Sequence, residues 1–229
     1  MQPTMADYRR EFIEFMVEAG VLTFGDFVTK SGRRTPYFIN TGNYRTGAHI
    51  ARLGQYYARC IAAHIPGRID TLFGPAYKGI PLAVAAASAL AGQGRDVGFC
   101  FNRKEVKDHG EGGVMVGHKL KDGDRVVIVE DVITAGTAMR ECLPVLQAAA
   151  KVEVAGLVVS VDRQERGAHG DRSAIQEIAA AYGIPTYPLV TVRDILDTLR
   201  GREIGGRVVL DEDTAARMEA YLDTYGVRA

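Results

Sequence analysis

Arg125-Val-Val-Ile-Val-Glu-Asp-Val-Ile-Thr-Ala-Gly-Thr-Ala138 decides how this chain folds. Residues 126–129 form an unbroken β-branched run, as expected of a strand covered on both faces. The run stops at two acids, Glu130 and Asp131. A turn of small residues, Thr134-Ala-Gly-Thr137, comes next, and then a helical pattern. Sheets built from such units place their ligands at the carboxyl ends of the strands. Backbone amides at the turn and the amino end of the helix suit a phosphate. The two carboxylates suit sugar hydroxyls or a hydrated metal ion. A place made for both groups is a ribose-phosphate site. The ATP-binding P-loop is excluded because no Gly-Lys-Ser/Thr follows. The dinucleotide fingerprint is excluded because Gly-x-Gly-x-x-Gly is absent. The competing reading is an ordinary strand–turn–helix whose turn carries acids.

The flanking sequence repeats the pattern. Short strands are expected at 71–73, 97–101, 154–161 and 186–192, and helices at 47–64, from Pro81 to about 91, at 174–182, at 194–200 and at 211–225. Ser173 and Gln176 have capping-box spacing, and Gly183 is a stop. The alternation predicts an α/β fold with a mainly parallel central sheet flanked by helices. Residues 1–45 break the rhythm: a helix over 7–19, extended or hairpin structure over 21–28, then a turn and a strand over 30–38. They are expected to form a small cap beside a core of residues 46–229. Pro144 should kink the helix that follows Thr137.

Bulk properties narrow the classes. The chain has 229 residues, 47% of them hydrophobic, enough for one α/β unit. Its 28 basic and 28 acidic residues balance, which argues against a nucleic-acid or anionic-membrane partner. No apolar run approaches the roughly 20 residues of a membrane helix, and the first residues lack a signal-peptide pattern. A cytoplasmic protein is expected. Cys60, Cys100 and Cys142 are odd in number and widely spaced, fitting small core residues better than a disulfide scaffold, metal cluster or nucleophile.

Three further segments carry chemistry. In Asn102-Arg-Lys-Glu-Val-Lys-Asp-His-Gly-Glu-Gly-Gly113, Arg103, Lys104, Lys107 and His109 cluster beside glycines that permit large backbone changes. A basic loop of this kind can close over a highly charged group and exclude water; the alternative is a solvated loop. In Phe73-Gly-Pro-Ala-Tyr-Lys-Gly-Ile-Pro81, a strand ends in a Gly/Pro turn whose amides can form an anion nest, with Tyr77 and Lys78 beside it. After the strand at 154–161 comes Ser160-Val-Asp-Arg163, and an Arg fork matches a planar carboxylate. The competing role for Arg163 is an ion pair with Asp162 or Glu165.

The segment from Arg125 to Ala138 resembles the phosphoribosyl-diphosphate (PRPP) signature of the type I phosphoribosyltransferases. The loop, the Tyr77-Lys78 turn and Lys30-Ser-Gly-Arg-Arg-Thr-Pro-Tyr-Phe-Ile-Asn40 resemble the orotate phosphoribosyltransferase branch. The resemblance runs from Phe12 to Tyr225 and implies a reaction of orotate with PRPP, giving orotidine 5′-monophosphate and pyrophosphate, in pyrimidine (UMP) biosynthesis. It implies that Lys30, Tyr77, Lys78, Arg103, Lys104, Lys107 and His109 meet PRPP or pyrophosphate, with Glu130, Asp131, Val132, Ile133, Thr134, Ala135, Gly136, Thr137 and Ala138. Lys107 and Asp131 are the implied catalytic residues. Lys30, Phe38, Ile39, Thr134 and Arg163 are implied to hold orotate, Ile39 standing where the family often has a second aromatic. Mg²⁺ is the implied cofactor, held mainly by PRPP and water with Glu130 and Asp131 nearby and no direct protein ligand. A homodimer sharing the 102–113 loop across subunits is also implied. The alternatives are a phosphoribosyltransferase for another nucleobase and a non-catalytic PRPP-sensing regulator that binds nucleic acid.

Overall fold

The computed structural model describes residues 5–29, 32–107, 113–133, 137–167 and 170–227. In chain order the elements are α1 (Met5–Glu18), β1 (Leu22–Val28), β2 (Arg34–Ile39), α2 (Gly47–His64), β3 (Thr71–Gly74), α3 (Gly79–Gly92), β4 (Gly98–Lys107), β5 (Gly113–Gly117), β6 (Arg125–Val132), α4 (Thr137–Ala149), β7 (Glu153–Asp162), α5 (Ala174–Tyr182), β8 (Thr186–Thr191), α6 (Val192–Leu199), the short pair β9 (Glu203–Ile204) and β10 (Arg207–Val208), and α7 (Glu212–Tyr225).

Six strands form the central sheet in the order β5-β4-β3-β6-β7-β8. All neighbours are parallel except β5, which returns antiparallel along β4 at one edge. The β6 run shows why the sheet is covered twice. Val127 and Val129 join Leu53, Ile61, Leu82 and Leu90 on one face. Val126 and Ile128 join Met139, Leu146 and Ile178 on the other. Successive side chains of a strand point to opposite faces, so an unbroken apolar run needs helices on both. The antiparallel β1–β2 hairpin is a separate two-stranded sheet. Its Leu22 and Tyr37, with Phe12 and Ile13 of α1, belong to the same core as α2, α6 and α7.

Local signals account for the helix ends. Ser173 and Gln176 form a reciprocal capping box, and Gly183 closes α5 in the left-handed region at φ 64°. Thr191 and Asp194 cap α6 in the same way, so that helix starts at Val192, two residues earlier than its sequence pattern indicates. One helix runs from Thr137 to Ala149 through Pro144. The 102–113 stretch differs from its reading as a loop: Asn102 to Lys107 continue β4, and Gly113 begins β5. The antiparallel partner satisfies that backbone where the apolar pattern is silent, Asn102 pairing with Met115 and Lys107 with Gly113. Residues 108–112 lie outside the described residues.

Candidate active site

From β3 the chain steps outward to β4 and β5, then returns to the other side of β3 as β6. That reversal opens a crevice at the carboxyl ends of β3 and β6, where ligands of such sheets bind. β3 delivers Pro75, Ala76, Tyr77 and Lys78; β6 delivers Glu130 and Asp131. The wall between them is tight: a Cβ on Gly79 would lie 2.8 Å from the Val129 carbonyl oxygen and 2.7 Å from Pro75 Cδ. Only glycine lets α3 start this close to β6.

Asp131 is the hub. Its Oδ2 accepts from Lys78 Nζ at 2.9 Å and from the Thr41 hydroxyl at 2.8 Å, and Lys78 Nζ lies 3.1 Å from Thr41 Oγ1. Its Oδ1 accepts the Val132 N–H at 2.6 Å. Glu130 is buried, and its Oε1 accepts the Asp131 N–H at 2.9 Å. Neighbouring elements fix the backbone of both acids. Tyr57 of α2 donates its hydroxyl to the Glu130 carbonyl at 2.7 Å, and Ser160 of β7 donates to the Asp131 carbonyl at 2.6 Å.

The two acids differ in charge behaviour. Burial pushes the Glu130 carboxyl up from 4.5 to about 7, and the negative charge of Asp131 adds to the rise. Burial also opposes ionisation of Asp131, but hydrogen bonds from Lys78, Val132 and Thr41 outweigh it and hold its carboxyl below the usual range. One acid is a firm anion beside a cation; the other changes charge near neutral pH.

Other predicted residues lie on β2, β4, β6 and α4, in the turn after β3 and just after β7. Tyr77 is exposed, and the Lys104 ammonium sits 4.9 Å from its ring centroid. Asn102 Oδ1 accepts the Ala76 N–H at 3.0 Å, tying β4 to the β3 turn. Arg103 lies in β4, Lys107 closes it, and Thr137 and Ala138 open α4. Val132 ends β6, and Ile133 packs against the core beneath α4 and α5. Phe38 is exposed and stacks on Phe27 with centroids 5.4 Å apart, whereas Ile39 turns toward the core. Arg163 does form the ion pair with Glu165 weighed against its substrate role, at 2.7 Å, but both partners are largely buried. Lys30, His109, Thr134, Ala135 and Gly136 lie outside the described residues.

Sequence reading missed Thr41, Tyr57, Ser160 and Asn102. Thr41 alone had a local signal, the Asn40-Thr-Gly-Asn43 turn, which folds as a one-turn 3₁₀ helix capped by Asn40. The three cysteines are buried and free, and desolvation pushes the thiols up to about 12, 11 and 12 at Cys60, Cys100 and Cys142. Neutral buried thiols are poor nucleophiles.

Known proteins resemble this chain over nearly its whole length. Residues 41–181 match the phosphoribosyl transferase domain. The chain is 53% identical to an orotate phosphoribosyltransferase of Lachnoclostridium phytofermentans, over 98% of this chain and 100% of the relative. It is 51% identical to the Clostridium beijerinckii protein of the same name, with the same coverage. The chain belongs to the orotate phosphoribosyltransferase family. The crystal structure of the Francisella tularensis orotate phosphoribosyltransferase superposes with a TM-score of 0.81 at 37% identity, over 94% of this chain and 99% of that one. The six-stranded sheet and its helices are thus the type I phosphoribosyltransferase fold. Among the described residues, no helix is long and apolar enough to cross a membrane.

Proposed function

We propose that this protein joins orotate to PRPP, giving orotidine 5′-monophosphate and pyrophosphate in pyrimidine nucleotide synthesis, and that the crevice between β3 and β6 is where it does so. The observation that carries this reading is the meeting of Asp131 and Lys78 across the switch point of the sheet. A pentose diphosphate offers that crevice hydroxyls for the acids and phosphate oxygens for the cation.

In the reaction, the anomeric C–O bond of PRPP breaks as the orotate ring nitrogen bonds to the same carbon. The pyrophosphate leaves with the bonding electrons. The sugar gains oxocarbenium character while negative charge grows on the leaving group, so the protein's task is largely electrostatic and positional. Lys78, Arg103, Lys104, Lys107 and His109 meet the pyrophosphate. Glu130 and Asp131 accept hydrogen bonds from the ribose hydroxyls, and the Asp131 anion favours positive charge on the ring. The amides of Thr134 to Thr137 hold the 5′-phosphate. Lys30 and Phe38 cover the base, with Ile39 and Thr134 beside it, and Arg163 takes its carboxylate. Orotate enters as an anion, so no general base is required.

The donor set fits a divalent ion held chiefly by substrate. Among the described residues, no three acidic, histidine or cysteine side chains group as a metal cage, and Lys78 already occupies Asp131. Mg²⁺ keeps much of its water and prefers phosphate oxygens. Glu130 and Asp131 would therefore receive its waters, and the bound ion would supply charge neutralisation on the pyrophosphate. We also propose a cytoplasmic homodimer in which residues 102–113 reach the neighbouring subunit's site. The test is purified protein with orotate, PRPP and Mg²⁺, following the loss of orotate absorbance. Turnover that stops with EDTA supports the reading. Preference for hypoxanthine, adenine or uracil, or salt-sensitive nucleic-acid binding without turnover, overturns it.

A further inference from the structure

At the carboxyl end of β7, one arginine is fixed from two directions. The Arg163 guanidinium carbon lies 4.8 Å from the centroid of the Tyr37 ring. Its Nε and Nη2 both donate to a single oxygen, Glu165 Oε1, at 2.9 and 2.7 Å. The same oxygen accepts the Tyr37 hydroxyl at 2.7 Å. A planar group with one face stacked and one edge bonded keeps almost no rotational freedom. Among the described residues Nη1 makes no hydrogen bond, and the Tyr221 hydroxyl lies beside the same Arg163–Glu165 pair.

The chain is bent to make this contact. Gln164 takes the left-handed conformation at φ 52°, and its N–H is held by Asp162 Oδ1 at 2.8 Å, which turns Glu165 back onto Arg163. Glu165 is then pinned from the other side. It bridges Gly226, and the next residue's N–H donates to the Tyr225 carbonyl at 2.8 Å. Arg33 lies over the Tyr225 ring and donates to the Arg166 carbonyl at 3.1 Å.

We propose that Glu165 is a positioning residue for recognition of the base: with Tyr37, it sets the Arg163 guanidinium so that the Nη1 edge faces the substrate carboxylate. The proposal rests on the reading of Arg163 as the partner of that carboxylate. Glu165 could instead be a competing anion that the substrate displaces. Displacement would strand the hydroxyl of Tyr37, a side chain with 0% exposure, and a buried polar group without a partner is costly. An Arg fork can hold two carboxylates on different edges, so nothing needs to leave.

The two roles predict opposite signs. The test measures kcat and both KM values for the full-length wild type, Glu165→Gln, Tyr37→Phe, Arg163→Ala and the Arg163→Ala/Glu165→Gln double variant. Glu165→Gln and Tyr37→Phe should each raise KM for orotate about tenfold, the scale of one charge-assisted hydrogen bond. KM for PRPP and saturated kcat should stay near wild type. In the Arg163→Ala background, Glu165→Gln should add nothing, because the residue acts only through that arginine. A lower orotate KM in Glu165→Gln would make Glu165 a competitor and overturn the proposal. Equal rises in both KM values would also overturn it, by making the residue general scaffold. An unchanged orotate KM in Arg163→Ala would remove Arg163 from the base site and so sink the underlying reading by itself.

Discussion

Glu130→Gln isolates the proton that the tandem acids share with solvent. Gln has the shape of the protonated acid, and its side-chain oxygen can still accept the Asp131 N–H that Glu130 accepts at 2.9 Å. Burial raises the folded-state carboxyl from 4.5 to about 7. A group raised in this way gives its full stabilisation below the unfolded value and loses it as pH climbs through the folded value. The wild type should therefore lose stability between pH 4.5 and about 7 on account of this one residue. That rise corresponds to at most about 3 kcal/mol. Near pH 4.5 the variant should match the wild type. By pH 8 it should be the more stable by on the order of 2–3 kcal/mol, or roughly 5–10 °C in melting temperature for a chain of this size. Asp131, held below its usual range, titrates under this window and is common to both proteins. Denaturant or thermal unfolding across pH 4.5–8 measures the gap. Curves that stay parallel throughout would refute a neutral-leaning Glu130.

Lys107→Ala should lower turnover by orders of magnitude while PRPP still binds, checked by calorimetric titration beside kcat; unchanged turnover would remove this residue from the chemistry. Asp131→Asn should raise KM for PRPP at least about tenfold. Its melting temperature should fall only modestly: Asp131 is largely buried, but its partner Lys78 is mostly exposed and the Asn side-chain oxygen can still accept a hydrogen bond from its neighbours; an unfolded variant would make Asp131 structural. Tyr57→Phe should cost about 1 kcal/mol by removing the donor to the Glu130 carbonyl, and should loosen PRPP binding, both read by unfolding and KM; a stable variant with normal KM would contradict the support role. These outcomes are independent of Glu165, whose proposed role is confined to recognition of the base.

The β6 strand, the capping of α5 and the two acids were legible because each depends on residues close in sequence. A β-branched run reports burial on both faces, and Ser173 with Gln176 reports a helix start. The extension of β4 was not legible. Asn102 to Lys107 are polar apart from Val106 and belong to the second strand from the sheet edge, where pairing with β5 supplies the order that apolar periodicity would otherwise signal. The supports of the acids were equally hidden. Tyr57 meets Glu130 across 73 residues, and Thr41 meets Asp131 across 90. Contacts of that range leave no spacing to read. Arg163 shows the opposite case: its partner Glu165 stands two residues away and is legible by spacing, whereas Tyr37, which completes the arrangement, lies 128 residues from Glu165 and leaves no local signal.

A crystal structure with PRPP and Mg²⁺ bound tests the central claim most directly. The account predicts ribose hydroxyls within hydrogen-bond distance of Glu130 and Asp131 and the 5′-phosphate at the amides preceding α4. A sugar phosphate lodged elsewhere, with Asp131 still joined to Lys78 and Thr41, would contradict it.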